Sequence, residues 1–192
     1  MVAHAEIEAR RASNTQLLPT IDALLAEAGI ERGDIVCVAC GRGPGSFTGV
    51  RIAMATAKGI ASALGVALIG VSSLDAVAWN AWAHDVRGSV AVAADAMRKE
   101  VYPVLFELSD DGVVRLENDS VLAVARAVEK FAGYAIPPSD VQITGDALAK
   151  YAGTFESLGA LLPSDLWTPT GLGLLLAVRA AWRLDAVDPF DA

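Results

Sequence analysis

Gly41-Arg42-Gly43-Pro44-Gly45-Ser46-Phe47-Thr48-Gly49-Val50-Arg51 follows one apolar run, Ile35 to Cys40, and opens a second, Ile52 to Leu64. The pattern reads as strand, glycine-rich turn and helix. Glycines at 41, 43 and 45 allow a sharp turn, and Pro44 fixes one φ between them. Thr48 or Ser46 is placed to cap the helix, and Gly65 to end it in the left-handed region. Within the helix Gly49, Ala53, Ala57 and Ala61 recur every fourth residue. That spacing makes a ridge of small side chains against which another helix packs closely.

The turn is a poor phosphate cradle. A Walker loop needs a lysine after its last glycine, and none stands there. A dinucleotide fingerprint counted from Gly41 meets Ser46 where it requires glycine, and Pro44 removes an N–H that an anion would use. A structural turn that aims the helix is the better reading.

Working outward, Val2 to Ala9 alternates loosely and reads as a strand with one wet face. Arg10-Arg11 reads as a solvated pair. Residues 15–28 form a helix with a wide apolar stripe of Leu17, Leu18, Ile21, Leu24, Leu25 and Ala28, with Pro19 expected in its first turn. A strand at 67–71, a helix from Ser72 or Ser73 to about Trp82, and a polar stretch from Ala83 to Gly88 follow. Strands are then expected at 89–94, 101–108, 113–116 and 141–144, with helices at 120–132 and from about Thr170 to Asp185. Strand–helix alternation of this kind builds an α/β fold with crossover connections. The polar stretch suggests two domains, residues 1–87 and 88–192.

At 192 residues and 54% hydrophobic content, the chain has ample material for buried cores. Its apolar runs are broken well short of the about 18 residues a membrane span needs. No basic start followed by an apolar segment opens the chain, so a cytoplasmic location is expected. The net charge of −8 argues against unaided tRNA binding, because phosphate contacts need a basic face. Cys37 and Cys40 fall inside a strand and lack a second ligand pair, so they read as small buried hydrophobes rather than a zinc or redox site. Neither a zinc motif nor a Cys/His couple is present. The best acid cluster is Asp95 at a strand end with Arg98 and Glu100, where an Asp–Arg salt bridge is the simplest reading.

The whole stretch is more specific than its parts. Gly41 to Ile52, continued through Ala55-Thr56-Ala57-Lys58-Gly59 to Gly70-Val71-Ser72-Ser73-Leu74, resembles the TsaB (YeaZ) family of the actin/Hsp70-like superfamily, once labelled glycoprotease-like. Asn14 to Leu25 is similar to that family's first helix, and Asp95-Ala96 with Glu100-Val101-Tyr102 to its next strand pair. The likeness covers roughly residues 2–150. It implies an actin-like (ribonuclease H-like) fold of two lobes with mixed sheets and flanking helices. Members usually begin with a strand hairpin for which nothing here corresponds, and they usually run on past the segment ending at Ala192. The first lobe is therefore expected to be incomplete.

The resemblance implies a non-catalytic subunit, without cofactor or metal, of the machinery that makes threonylcarbamoyladenosine (t6A) in tRNA. Its implied partners are the TsaD transferase, the TsaE ATPase and, when alone, a second copy; tRNA is met only through the complex. The expected interface is the helix pair 15–28 and 48–64, two copies of which make four helices. Its contacts are Leu18, Ile21, Leu25, Gly49, Arg51, Ala53, Met54, Ala57, Lys58 and Ala61, with Met54 and Lys58 flanking the ridge. Asp95, Arg98, Glu100, Gly145 and Asp146 are the expected inter-lobe cleft. Met97 and Lys99 stand where the family pattern has a basic residue and a glycine, and Ala147 where it has a glycine. The competing reading is a nucleotide-hydrolysing or glycoprotease-like enzyme.

Overall fold

Helix α1 (Ser13–Ala28) carries the wide apolar stripe of the sequence. Pro19 lies in its second turn rather than its first. Strand β1 (Cys37–Gly41) leads through the glycine turn into α2 (Phe47–Leu64), which Gly65 closes at φ 66°. Strand β2 (Ala67–Val71) then pairs with β1 in parallel, Cys37 opposite Ala67 through to Gly41 opposite Val71. A parallel pair needs a crossover, and α2 is that crossover. The computed structural model describes residues 2–7, 13–134 and 141–183. Arg10-Arg11, the end of the expected C-terminal helix and the last residues of the chain fall outside them.

Contacts divide the chain into two units: residues 1–42, 46–71 and 178–192, and residues 43–45 and 72–177. The first unit contains α1, β1, α2 and β2. Its sheet has two strands among the described residues. The strand expected at 2–9 does not form over residues 2–7. Alternation alone does not make a strand: its backbone groups need a ladder partner, and Val2 is 80% exposed.

Among the described residues the second unit is built on a mixed six-stranded sheet. Helix α3 (Ser73–Ala83) leads to β3 (Gly88–Asp95) and β4 (Glu100–Ser109), which pair antiparallel. Strands β5 (Gly112–Arg115) and β6 (Leu122–Ala123) also pair with β4. Helix α4 (Val124–Ala132), strand β7 (Val141–Thr144), helix α5 (Leu148–Phe155) and strand β8 (Gly159–Leu161) follow. The spatial order is β5-β4-β3-β7-β8, with β7 parallel to both β3 and β8. Helix α6 (Gly171–Arg183) begins in this unit and ends in the first.

The continuous apolar run of β3 is what burial on both faces demands. Ala91 and Ala93 join a core with Val124, Phe131, Ile143 and Phe155, from α4, β7 and α5. Val90 and Val92 join another with Leu74, Val77, Ala81 and Phe106, from α3 and β4. This second core moves the expected division at 87/88 to 71/72, because α3 gives its apolar face to the second sheet. No helix among the described residues is long and apolar enough to cross a membrane.

Candidate functional site

Ser46, not Thr48, caps α2: its Oγ accepts the Gly49 N–H at 3.3 Å. The residues that follow decide what α2 presents. Phe47 is 70% exposed, and the Arg51 guanidinium lies 3.7 Å from its ring centroid. α2 packs on β1, β2 and α1. Ala57 and Ala61 are buried in that packing, at 5% and 6% exposure, and Gly49 and Ala53 are half-buried. The expected ridge is thus largely an inward feature of the unit, and its buried half has no free surface for another helix.

A second small-residue series lies on the outside. Ala55, Gly59 and Ala63, again four apart, are exposed, and a Cβ built on Gly59 meets nothing within 4 Å. Beside them, α1 and α2 enclose an apolar groove of about 320 Å³. Leu18, Ile21 and Leu25 line it from α1; Ile60, Ala63 and Leu64 line it from α2. Leu18 is 52% exposed, and an Asp22–Arg32 ion pair at 2.9 Å edges the groove. At about 100° per residue, Arg51 and Lys58 lie nearly opposite Ile60 and Leu64 on α2, with Ala55 and Gly59 between. Arg51 and Lys58 are exposed and Met54 is half-buried.

The three α1 residues therefore line one groove. The α2 residues divide among the unit's interior, the exposed cationic stripe and the groove. Of two interlaced small-residue series on α2, the one the sequence singles out has Ala57 and Ala61 buried within the unit. The signal that separates them is Ile60 and Leu64, large residues on the groove side of the second series.

Asp95, Arg98, Glu100, Gly145 and Asp146 all belong to the second unit. Asp95 ends β3 and Asp146 follows β7, so their carboxylates stand at the carboxyl ends of two parallel strands. Asp146 Oδ1 accepts the Asp95 N–H at 2.8 Å, and Asp95 Oδ1 accepts the Met97 N–H at 3.1 Å. Gly145 is required here: φ is 118°, and a Cβ would stand 2.1 Å from the Ala93 carbonyl oxygen. The cation on Asp95 is Lys150, through Oδ2, and not Arg98. Arg98 and Glu100 are exposed and stay out of this network. Lys150, distant in sequence, carries no local signal for the contact.

Loss of water pushes the Asp146 carboxyl above its ordinary range, as does the charge of Asp95, against lowering by the Asp95 N–H and Lys150. The hydrogen bond to Asp95 holds the Lys150 ammonium above its ordinary value. The arrangement locks the β3–β4 turn, where Met97, Arg98 and Lys99 have φ of 67°, 52° and 67°. Cys40 is buried and Cys37 half-buried, both unpaired, and burial raises both thiols. Among the described residues no three His, Cys, Asp or Glu side chains gather around a point that could hold a metal ion.

A family model described as TsaD, tRNA N6-adenosine threonylcarbamoyltransferase, matches residues 6–163. The tRNA threonylcarbamoyladenosine biosynthesis protein TsaB of Escherichia coli is 38% identical over 111 residues, 58% of this chain and 48% of that protein. YeaZ from Pseudomonas aeruginosa superposes with a TM-score of 0.80 at 31% identity, covering 94% of this chain and 81% of that one. The chain belongs to the TsaB (YeaZ) family. Its α/β architecture is the actin-like one that the resemblance implied. An uncharacterized protein with similarity to peptidase YeaZ, also from Pseudomonas aeruginosa, gives a TM-score of 0.81 over 98% of this chain and 85% of its own. The chain spans about half the length of the curated TsaB relatives it matches. The α1–α2 groove and the Asp95–Asp146–Lys150 network both fall inside the matched segment.

Proposed function

We propose that this chain is a non-catalytic, cytoplasmic subunit of the machinery that makes threonylcarbamoyladenosine in tRNA. It binds and supports a TsaD-type transferase, works beside a TsaE-type ATPase, meets tRNA only through that complex, and pairs with itself when alone. Family membership supplies the pathway. The observation that carries the subunit role is the open α1–α2 face: an apolar groove next to an exposed strip of alanines and a glycine. Close helix approach needs small residues, and affinity needs apolar area that water leaves. This face offers both.

Reconstitution tests the reading. A purified TsaD-type transferase and TsaE-type ATPase, given tRNA and the threonylcarbamoyl donor, should modify tRNA only when this chain is added. Equal modification without it would contradict the role.

The enzyme reading draws on one feature, the two carboxylates at the carboxyl ends of parallel strands, where α/β folds place ligands. Lys150 already neutralises Asp95, and the network's hydrogen bonds are spent on the β3–β4 turn. Calorimetric binding of metal-nucleotide by the isolated chain, with a Kd on the order of 1 μM or tighter, would favour that reading instead.

A further inference from the structure

Met97, Arg98 and Lys99 hold positive φ one after another in the β3–β4 turn, a region that disfavours side chains. Three contacts keep the turn in place. The Met97 N–H donates to Asp95 Oδ1 at 3.1 Å, and the Ala96 N–H to the Glu100 carbonyl at 2.9 Å. Lys150, on α5, pairs with Asp95 Oδ2. An ammonium carries three donors, and the pairing with Asp95 uses one of them. The Met97 sulfur stands 4.0 Å from the same Lys150 nitrogen. A thioether is a weak acceptor, so that contact adds little to the hold.

Oxygen on that sulfur changes the balance. Met97 is 62% exposed, whereas Met54 is half-buried in α2 and Met1 lies outside the described residues. The two thiols compete poorly for an oxidant, because the thiolate is the reactive form and burial raises both Cys37 and Cys40. We propose that Met97 is a site of reversible oxidation by peroxides, and that its sulfoxide accepts a hydrogen bond from Lys150 and fastens the β3–β4 turn to α5. In the step the sulfur gives two electrons to hydrogen peroxide. An S–O bond forms, the O–O bond breaks, and the second oxygen leaves with both protons as water. The sulfoxide oxygen is a strong acceptor beside an ammonium with donors to spare, so Asp95 keeps its own bond. Oxidation of a packed methionine disrupts the core around it. Met97 has solvent on one side and a cation on the other, so its polar product is stabilised where it forms. Methionine sulfoxide reductases reverse the step and open the lock.

The test adds hydrogen peroxide to the full chain and follows each methionine by peptide mass. Met97 should gain oxygen several-fold faster than Met54. Amide exchange then reads the lock. In the oxidised parent the amides from Met97 to Glu100 should exchange roughly tenfold more slowly than in the reduced one, as a charge-assisted hydrogen bond provides. Peroxide should leave those amides unchanged in Met97→Leu. Lys150→Leu, checked by its melting curve, should be oxidised at Met97 without the slowing. Where that variant melts too low to use, Met97→Gln decides, because its amide oxygen stands in for the sulfoxide oxygen. Without any peroxide its turn should exchange more slowly than that of Met97→Leu. Three results overturn the proposal: oxidation of Met97 no faster than that of Met54, an oxidised turn that exchanges as fast as the reduced one or faster, and slowing that persists in Met97→Leu or Lys150→Leu. Equal exchange in Met97→Gln and Met97→Leu does so as well.

Discussion

Lys99 holds φ at 67° at the last position of a three-residue left-handed run, between Met97 and Arg98 and the start of β4. A side chain in that region costs roughly 1 kcal/mol that glycine does not incur. Lys99→Gly is therefore expected to raise stability by up to about 1 kcal/mol, after the extra freedom of glycine in the unfolded chain is subtracted. In a domain of this size that is a rise of about 2–4 °C in Tm, read by thermal denaturation. Asp146 gives the second prediction at this scale. Its folded pKa is raised, so the folded state holds the proton more tightly than the unfolded one. Its contribution to stability is most favourable below the ordinary value of 3.8 and declines as pH rises through the folded pKa. Asp146→Asn keeps an oxygen for the Asp95 N–H and loses the titration. Denaturant midpoints taken from pH 3.8 upward should fall less steeply with pH in the variant than in the parent. Equal slopes would show that Asp146 titrates normally.

At the scale of elements, the two small-residue series of α2 make opposite predictions. Ala57→Leu inserts bulk into a packed interior and should cost about 1–3 kcal/mol, seen as a lower Tm. Gly59→Leu meets open space and replaces glycine in a helix interior, so it should raise stability by roughly 0.5–1 kcal/mol while blocking close helix approach. A fall in Tm for Gly59→Leu would place that position inside the fold. Which series faced outward was not legible, because a four-residue repeat occurs in both and only tertiary packing assigns the phase. Elements bounded by strong signals were legible. β7 matches its expected span, since the short β-branched alternation of Val141, Ile143 and Thr144 stops at Gly145. α2 ends at Gly65, as expected. β8 is three residues, Gly-Ala-Leu, too short for any periodicity. Residues 2–7 show the converse error: the period is present and the ladder partner is not. The Lys150–Asp95 pair joins residues that only the sheet brings together, and no local pattern carries it.

For the whole molecule, the two units differ in how they are closed. The second has cores on both faces of a six-stranded sheet. Among the described residues the first has a two-stranded sheet, few fully buried side chains and an open groove between its helices. A unit so little buried gains stability from what binds it, by mass action. Partner binding should therefore raise the apparent stability of the first unit more than that of the second, and amide exchange should show new protection in α1 and α2. The most direct test is sedimentation of the chain mixed with the TsaD-type transferase of its own organism, parent against the double variant Leu18→Arg/Gly59→Leu. The account predicts that the parent co-sediments as a stoichiometric complex, while the variant, folded by its melting curve, sediments apart from the transferase. A folded variant that still forms the complex with unchanged affinity would contradict it.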